Sequence, residues 1–135
     1  MNRFLRIAIV SFLFVQVAQA ETLKGVLDID QHSNVRIKTI SVKSSFPCEV
    51  TRTGKDILIS YTGEGESYAL NGLVDGKRVV MAQTKKLGNS VTTFHYVGTL
   101  TSPSTIEGMG TVMRDGVVGD SYFTFTIRMK DNSQQ

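Results

Sequence analysis

The most restrictive feature of this sequence is the alternation of polar and apolar side chains after residue 20, interrupted at short intervals by glycine-containing turn signals. Because successive side chains of a strand point to opposite faces, this period of two predicts β-strands, most clearly in the segments rich in Val, Ile, Thr, Tyr and Phe. No window of about 12 residues keeps apolar side chains at the spacing of an amphipathic helix. The chain is therefore predicted to be all-β.

The alternating segments predict nine strands, each bounded by turn residues. Their expected ranges are 22–30, 34–43, 47–52, 56–62, 67–74, 77–84, 91–101, 105–114 and 121–130. Asp75-Gly76 is expected to form a two-residue hairpin turn, because both residues tolerate a positive φ. Asp115-Gly116 is expected to begin a longer connection that runs through Gly119.

Short turns between consecutive strands predict antiparallel neighbours, so about eight to nine strands in series form an up-and-down meander. A sheet of this width twists, and closing it removes the exposed strand edges. The predicted fold is a small closed β-barrel. A two-layer β-sandwich is the alternative, and it would require a long crossover connection.

Residues 1–20 have the features of a Sec-type signal peptide: two arginines, an apolar run over 7–17 and the small-x-small motif Ala18-Gln19-Ala20. The apolar run is about half of the roughly 20 residues that span a bilayer. We expect cleavage after Ala20, which leaves 21–135 as a single β-barrel domain with no membrane span. The expected location is the periplasm or the extracellular space.

Charge and cysteine content restrict the partners and the source of stability. The formal net charge of +3 includes Arg3 and Arg6 of the predicted signal peptide, and the remaining basic residues are scattered, so no nucleic-acid partner is expected. Cys48 is the only cysteine, so stability must come from packing. Cys48 is expected to be a small buried hydrophobe beside Pro47, with an intermolecular disulfide or a reactive thiol as alternatives.

Alternation in the last three predicted strands assigns one face to the core. That face carries Phe94, Tyr96, Leu100, Ile106, Val112, Phe123, Phe125, Ile127 and Met129. Gly98, Gly108 and Gly110 share this face, although glycine weakens a strand interior. Two explanations are open: the glycines let the strands bend as the barrel closes, or they leave interior room for an apolar ligand.

No residue pattern predicts catalysis, a metal site or a cofactor. His32 lies in the turn-like sequence QHSN, preceded by Asp28 and Asp30, and His95 lies on the predicted polar face. The chain has no nucleophile elbow and no calcium-loop glycine and glutamate. An enzyme would require Glu107, His95 or Cys48 to converge in one cleft, so we expect a protein that is not an enzyme.

The stretch FHYVGTLTSPSTIEGMGTVMR, followed by SYFTFTIRM, resembles the closing strands of lipocalin-like (calycin-type) up-and-down barrels. The resemblance implies a non-enzymatic secreted or periplasmic barrel that binds a small apolar or amphipathic ligand. From the face assignment, we expect Phe94, Tyr96, Phe123 and Phe125 to line the ligand site. The alternative is an interaction or inhibitor protein with a filled interior, which binds a protein partner through its loops or a sheet face.

Overall fold

In the computed structural model, which describes residues 19–35 and 38–130, eight antiparallel strands close into one barrel. The strands are β1 (Glu21–Val35), β2 (Lys38–Thr53), β3 (Asp56–Gly63), β4 (Glu66–Asp75), β5 (Arg78–Leu87), β6 (Ser90–Ser102), β7 (Thr105–Arg114) and β8 (Val117–Met129). Each strand pairs with its neighbours in sequence, and β8 closes the barrel on β1. The predicted all-β, up-and-down closed barrel is confirmed. The predicted signal peptide falls almost entirely outside the described residues.

The strand predictions were wrong at the start of the barrel. Segments 34–43 and 47–52 belong largely to one strand, β2, and the first strand continues to Val35 instead of ending at residue 30. The two strands pair continuously from Glu21↔Arg52 to Val35↔Lys38. Pro47 does not interrupt β2, because it lies just beyond the last β2–β3 pair, Cys48↔Tyr61, where the missing N–H can be tolerated.

Two-residue turns join most of the strands, and glycine allows the backbone to adopt them. Glu64 and Gly65 have φ values of 52° and 79°, the pair of positive values that a type I′ hairpin turn requires. The predicted Asp75-Gly76 turn lies one residue later, at positions 76 and 77. The predicted long connection after Asp115 is also a two-residue turn, because β8 begins at Val117 and an irregularity in the β7–β8 register absorbs the extra residues.

The predicted inner face forms the core of the barrel. Tyr96, Ile106, Phe123, Phe125, Ile127 and Met129 are buried, and Phe94, Leu100 and Val112 pack against them. The Tyr96 ring meets the rings of Phe123 and Phe125 edge to face, at centroid distances of 4.7 Å and 5.1 Å. This edge-to-face packing adds to the free energy gained by burying the rings.

Gly98, Gly108 and Gly110 lie where there is no space for a side chain. A Cβ atom on Gly98 would be 3.0 Å from Cζ of Phe125 and 2.9 Å from the Glu107 carbonyl oxygen, and one on Gly110 would overlap the Phe123 ring. Gly98 and Gly108 also face each other directly across β6 and β7. The space that these glycines leave is therefore occupied by phenylalanine rings and by the neighbouring strand.

Candidate ligand cavity at one end of the barrel

The two ends of the barrel differ in how completely side chains fill them. The end where β1 begins and β8 ends is packed with buried apolar residues, including Val50, Val74, Val79 and Ile127. The opposite end contains a cavity of about 260 Å³, which we call the mouth cavity. Its lining is formed by Ile29, Gln31, Ser44, Phe46, Tyr61, Gly63, Glu64, Tyr68, Gln83, Lys85, Phe94, Tyr96 and Phe123.

Three of the four predicted ligand residues line this cavity. Phe94, Tyr96 and Phe123 form an aromatic wall, in which the Phe94 and Phe123 ring centroids are 6.4 Å apart. The fourth, Phe125, does not line the cavity; its ring packs against Tyr96 and fills the space beside Gly98. Burial raises the pKa of the Tyr96 hydroxyl far above its ordinary value, so this group stays protonated.

A hydrogen-bonded pair adds polar groups to the cavity wall. The Tyr61 hydroxyl donates to Oε1 of Gln83 at 3.0 Å, and both residues are buried. Burial raises the pKa of Tyr61, and the hydrogen bond to Gln83 opposes that rise. Because Oε1 of Gln83 accepts this bond, the amide NH₂ of Gln83 keeps its two N–H donors for another partner.

Lys85 places a cation at the cavity. Its Nζ lies 3.9 Å from the centroid of the Tyr68 ring and 5.3 Å from that of Phe94. Attraction between an ammonium group and the faces of aromatic rings favours this position. Burial lowers the pKa of Lys85, and the carboxylates of Glu64 and Glu66 partly offset that effect. None of the salt bridges between described residues includes Lys85.

Sequence reasoning missed Lys85 because the predicted strand 77–84 ended one residue before it. In the structure β5 continues to Leu87. Val79, Met81, Gln83 and Lys85, which are two residues apart along the strand, therefore share its inward face. Val79, Met81 and Gln83 are buried, and Lys85 is half-buried. The period of two was visible in the sequence, but the polar side chains at 83 and 85 obscured the inward face.

The residues considered for catalysis do not come together. Cys48 is buried inside the barrel, whereas His95 and Glu107 are exposed on its outer surface. Burial raises the pKa of the Cys48 thiol to about 11, so this thiol is protonated near neutral pH. Among the described residues, no group of three His, Cys, Asp or Glu side chains has an arrangement that could hold a metal ion.

The sequence around His32 suggested a turn, but in the structure His32 lies within β1. Its ring stacks on Tyr122 at a centroid distance of 4.9 Å, and its Nε2 is 3.7 Å from Oδ2 of Asp30. Asp30 also accepts a hydrogen bond of 2.6 Å from the Ser41 hydroxyl of the paired strand. These contacts pair β1 with its neighbours on the outside of the barrel.

Comparison with known proteins adds no family assignment. No known protein family matches the chain, and no curated protein matches it. Within the described ranges, no helix is long and apolar enough to cross a membrane. The structure defines a class by geometry: a closed, eight-stranded up-and-down β-barrel with a small cavity at one end, lined by both aromatic and polar side chains.

Proposed function

We propose that this chain is a non-enzymatic, lipocalin-like barrel that holds a small apolar or amphipathic ligand in the mouth cavity. The observation that carries the proposal is the lining itself: Phe46, Phe94, Tyr96 and Phe123 offer apolar surface, and Gln83 and Lys85 offer hydrogen-bond donors. Small-molecule sites commonly combine a largely apolar wall with a few polar groups that orient the ligand.

The volume of the cavity limits the ligand to a small molecule. A volume of 260 Å³ is equivalent to about nine water molecules at roughly 30 Å³ each. A ligand with about eight to ten non-hydrogen atoms would fill it, and a longer one would extend into solvent at the mouth. An alkyl chain of about eight carbons has the appropriate size.

The proposed location is the periplasm or the extracellular space. The first twenty residues would direct export and be removed by cleavage after Ala20. The arginines, apolar run and Ala18-Gln19-Ala20 motif of the first twenty residues support this proposal. N-terminal sequencing of the protein isolated from its cellular compartment tests it. A mature chain that begins at Glu21 is the expected result, and an intact Met1 on the exported protein would contradict it.

Calorimetric titration with a series of linear alkanols from hexanol to dodecanol tests the ligand proposal. Affinity should rise roughly fourfold for each added CH₂ while the chain is being buried, and then level off near eight carbons. Ser44→Phe, which adds a ring to the cavity lining, should remove binding. Ser45→Phe is the matched control, because Ser45 is exposed on the outer face. An absence of binding by the folded wild-type protein would contradict the proposal.

A second candidate function, as an interaction protein, is favoured by an apolar row on the outside of the barrel. Leu73, Val80, Val97 and Met109 are paired in direct register across β4 to β7. They are 58%, 45%, 51% and 56% exposed. A contiguous exposed apolar surface of this kind is a common feature of protein-binding sites. We call these four residues the outer apolar row.

Co-purification of the tagged protein with its natural partners tests this second candidate. Val80→Lys places a charge in the middle of the outer apolar row, so a partner that binds there should be recovered with the wild type and lost with the variant. Val117→Lys is the matched control, because Val117 is exposed but lies outside the row. A partner recovered equally with all three proteins would show that the row is not its binding surface.

A further inference from the structure

We propose that the mouth cavity selects amphiphiles with an anionic head group, which Lys85 and Gln83 bind while an alkyl chain of about eight carbons lies against Phe94, Tyr96 and Phe123. This inference rests on the proposed ligand-binding function and adds the charge of the ligand to it. Both polar residues are on β5 at positions two apart, and both line the cavity.

The first reason to expect an anionic ligand is that Lys85 already occupies the aromatic surface. The faces of Tyr68 and Phe94 attract a cation, and the Nζ atom of Lys85 lies over both rings. A cationic ligand would have to displace Lys85 or approach a like charge. An anionic head group would instead add a favourable interaction to an ammonium group that is already held in place.

The hydrogen-bonding groups of the cavity also favour an anionic head group. Lys85 carries three N–H donors and no acceptor, and one lone pair of the Gln83 carbonyl oxygen already accepts from Tyr61. The side chains that β5 offers to a ligand therefore carry more donors than free acceptors. A carboxylate, a phosphate or a sulfate offers only acceptors when ionised, and charge-assisted bonds to such groups are stronger than neutral ones.

Glu64 and Glu66 are the nearby charges that oppose an anionic ligand. Glu64 is exposed in the β3–β4 turn, and Glu66 is exposed and accepts a hydrogen bond of 2.9 Å from the Tyr68 hydroxyl. Water screens both carboxylates, whereas Lys85 is half-buried over two rings. Among the described residues no carboxylate lies within ion-pairing distance of Lys85, and a partly desolvated ammonium group in that situation gains most from an incoming anion.

Calorimetric titration with octanoate, octanol and octylammonium at neutral pH tests the inference, because these probes share one chain and differ in charge. Octanoate should bind at least tenfold more tightly than octanol, and octylammonium more weakly than either. Octyl phosphate, compared with octanoate, distinguishes the two kinds of anionic head group. Tighter binding of either one than of octanol supports the inference.

Variants of Lys85 separate the head-group claim from the cavity claim. Lys85→Gln should weaken octanoate binding roughly tenfold or more and weaken octanol binding much less, because glutamine keeps N–H donors at position 85 and removes the charge. Lys85→Arg should restore most of the preference, because it restores the charge. Lys86→Gln is the matched control, since Lys86 is the next residue and is exposed on the outer face.

The possible results distinguish two failures. If octanol binds as tightly as both octanoate and octyl phosphate, or if Lys85→Gln keeps the preference for the anionic probes, the cavity binds ligands but the inferred anion site is wrong. If none of the probes binds to the folded wild-type protein, both the proposed function and this inference are overturned. Binding of octanoate that depends on the charge at position 85 supports both.

Discussion

At the scale of single residues, the fit between Gly110 and Phe123 shows why a residue that weakens strands occurs in the middle of β7. A Cβ atom at position 110 would overlap the Phe123 ring, which also forms part of the cavity wall. The glycine therefore places this ring within the barrel. The sequence indicated that Gly98, Gly108 and Gly110 share the inner face, but it did not show which atoms fill the space that each one leaves.

Gly110→Ala should destabilise the protein by about 1–3 kcal/mol, because overpacking forces the Phe123 ring or the strand to shift. Urea unfolding measures the change. Gly119→Ala is the matched control, because a Cβ atom at position 119 would meet no atom closer than 3.9 Å. Equal stability of Gly110→Ala and the wild type would contradict the described packing.

Cys48 predicts a specific dependence of stability on alkaline pH. Burial raises its pKa from 9.0 to about 11, so above about pH 9 the unfolded chain loses a proton that the folded protein keeps. The free energy of unfolding should therefore fall as the pH rises from about 9 to 11. Burial also raises the pKa of Tyr61 and Tyr96, which adds to this decrease.

Cys48→Val removes the thiol contribution and leaves that of the tyrosines. The free energy of unfolding of this variant should fall less steeply than that of the wild type between pH 9 and pH 11, as measured by urea titrations at each pH. Identical slopes for the two proteins would mean that the thiol ionises as readily in the folded state as in the unfolded chain.

At the scale of strands and turns, the sequence predicted alternation better than it predicted where strands end. The predicted inner faces of β6, β7 and β8 are confirmed, and the pattern is clearest in β8, where Phe123, Phe125 and Ile127 alternate with threonine and arginine. The predicted strand ends were wrong where polar residues continue a strand, as at Lys85 in β5 and His32 in β1. In both cases pairing with a neighbouring strand, which no single segment reveals, determines the length.

The β3–β4 turn offers a test at this scale, because Glu64 adopts a φ of 52°. Asparagine tolerates this left-handed conformation better than glutamate and favours type I′ turns when followed by glycine. Glu64→Asn should stabilise the protein by about 0.5 kcal/mol, measured as a higher urea midpoint with an unchanged slope. Lys55→Asn serves as the control, because Lys55 lies in a turn but has no positive φ; a gain of the same size there would contradict the explanation.

At the scale of the whole molecule, the closed barrel could be predicted because consecutive short turns leave few alternatives to an antiparallel meander. The mouth cavity could not be predicted from the sequence. Its walls come from seven strands and one turn, and whether they enclose space depends on the size and tilt of side chains brought together only by closure. The sequence identified Phe94, Tyr96 and Phe123, but it did not indicate Lys85 and Gln83 on the neighbouring strand β5.

The cavity and the outer apolar row make different predictions about where a ligand binds. A short amphiphile inside the barrel would leave Leu73, Val80, Val97 and Met109 in their free environment. A molecule bound through surface apolar contacts would affect these four residues first. The location of binding therefore distinguishes the two proposals more directly than affinity does.

The most direct test is an NMR measurement of intermolecular nuclear Overhauser effects between octanoate and the isotope-labelled protein. We expect contacts from the alkyl protons to the rings of Phe94, Tyr96 and Phe123, with the carboxylate end nearest to Lys85. Contacts confined to the outer apolar row, or an absence of contacts at saturating octanoate, would contradict it.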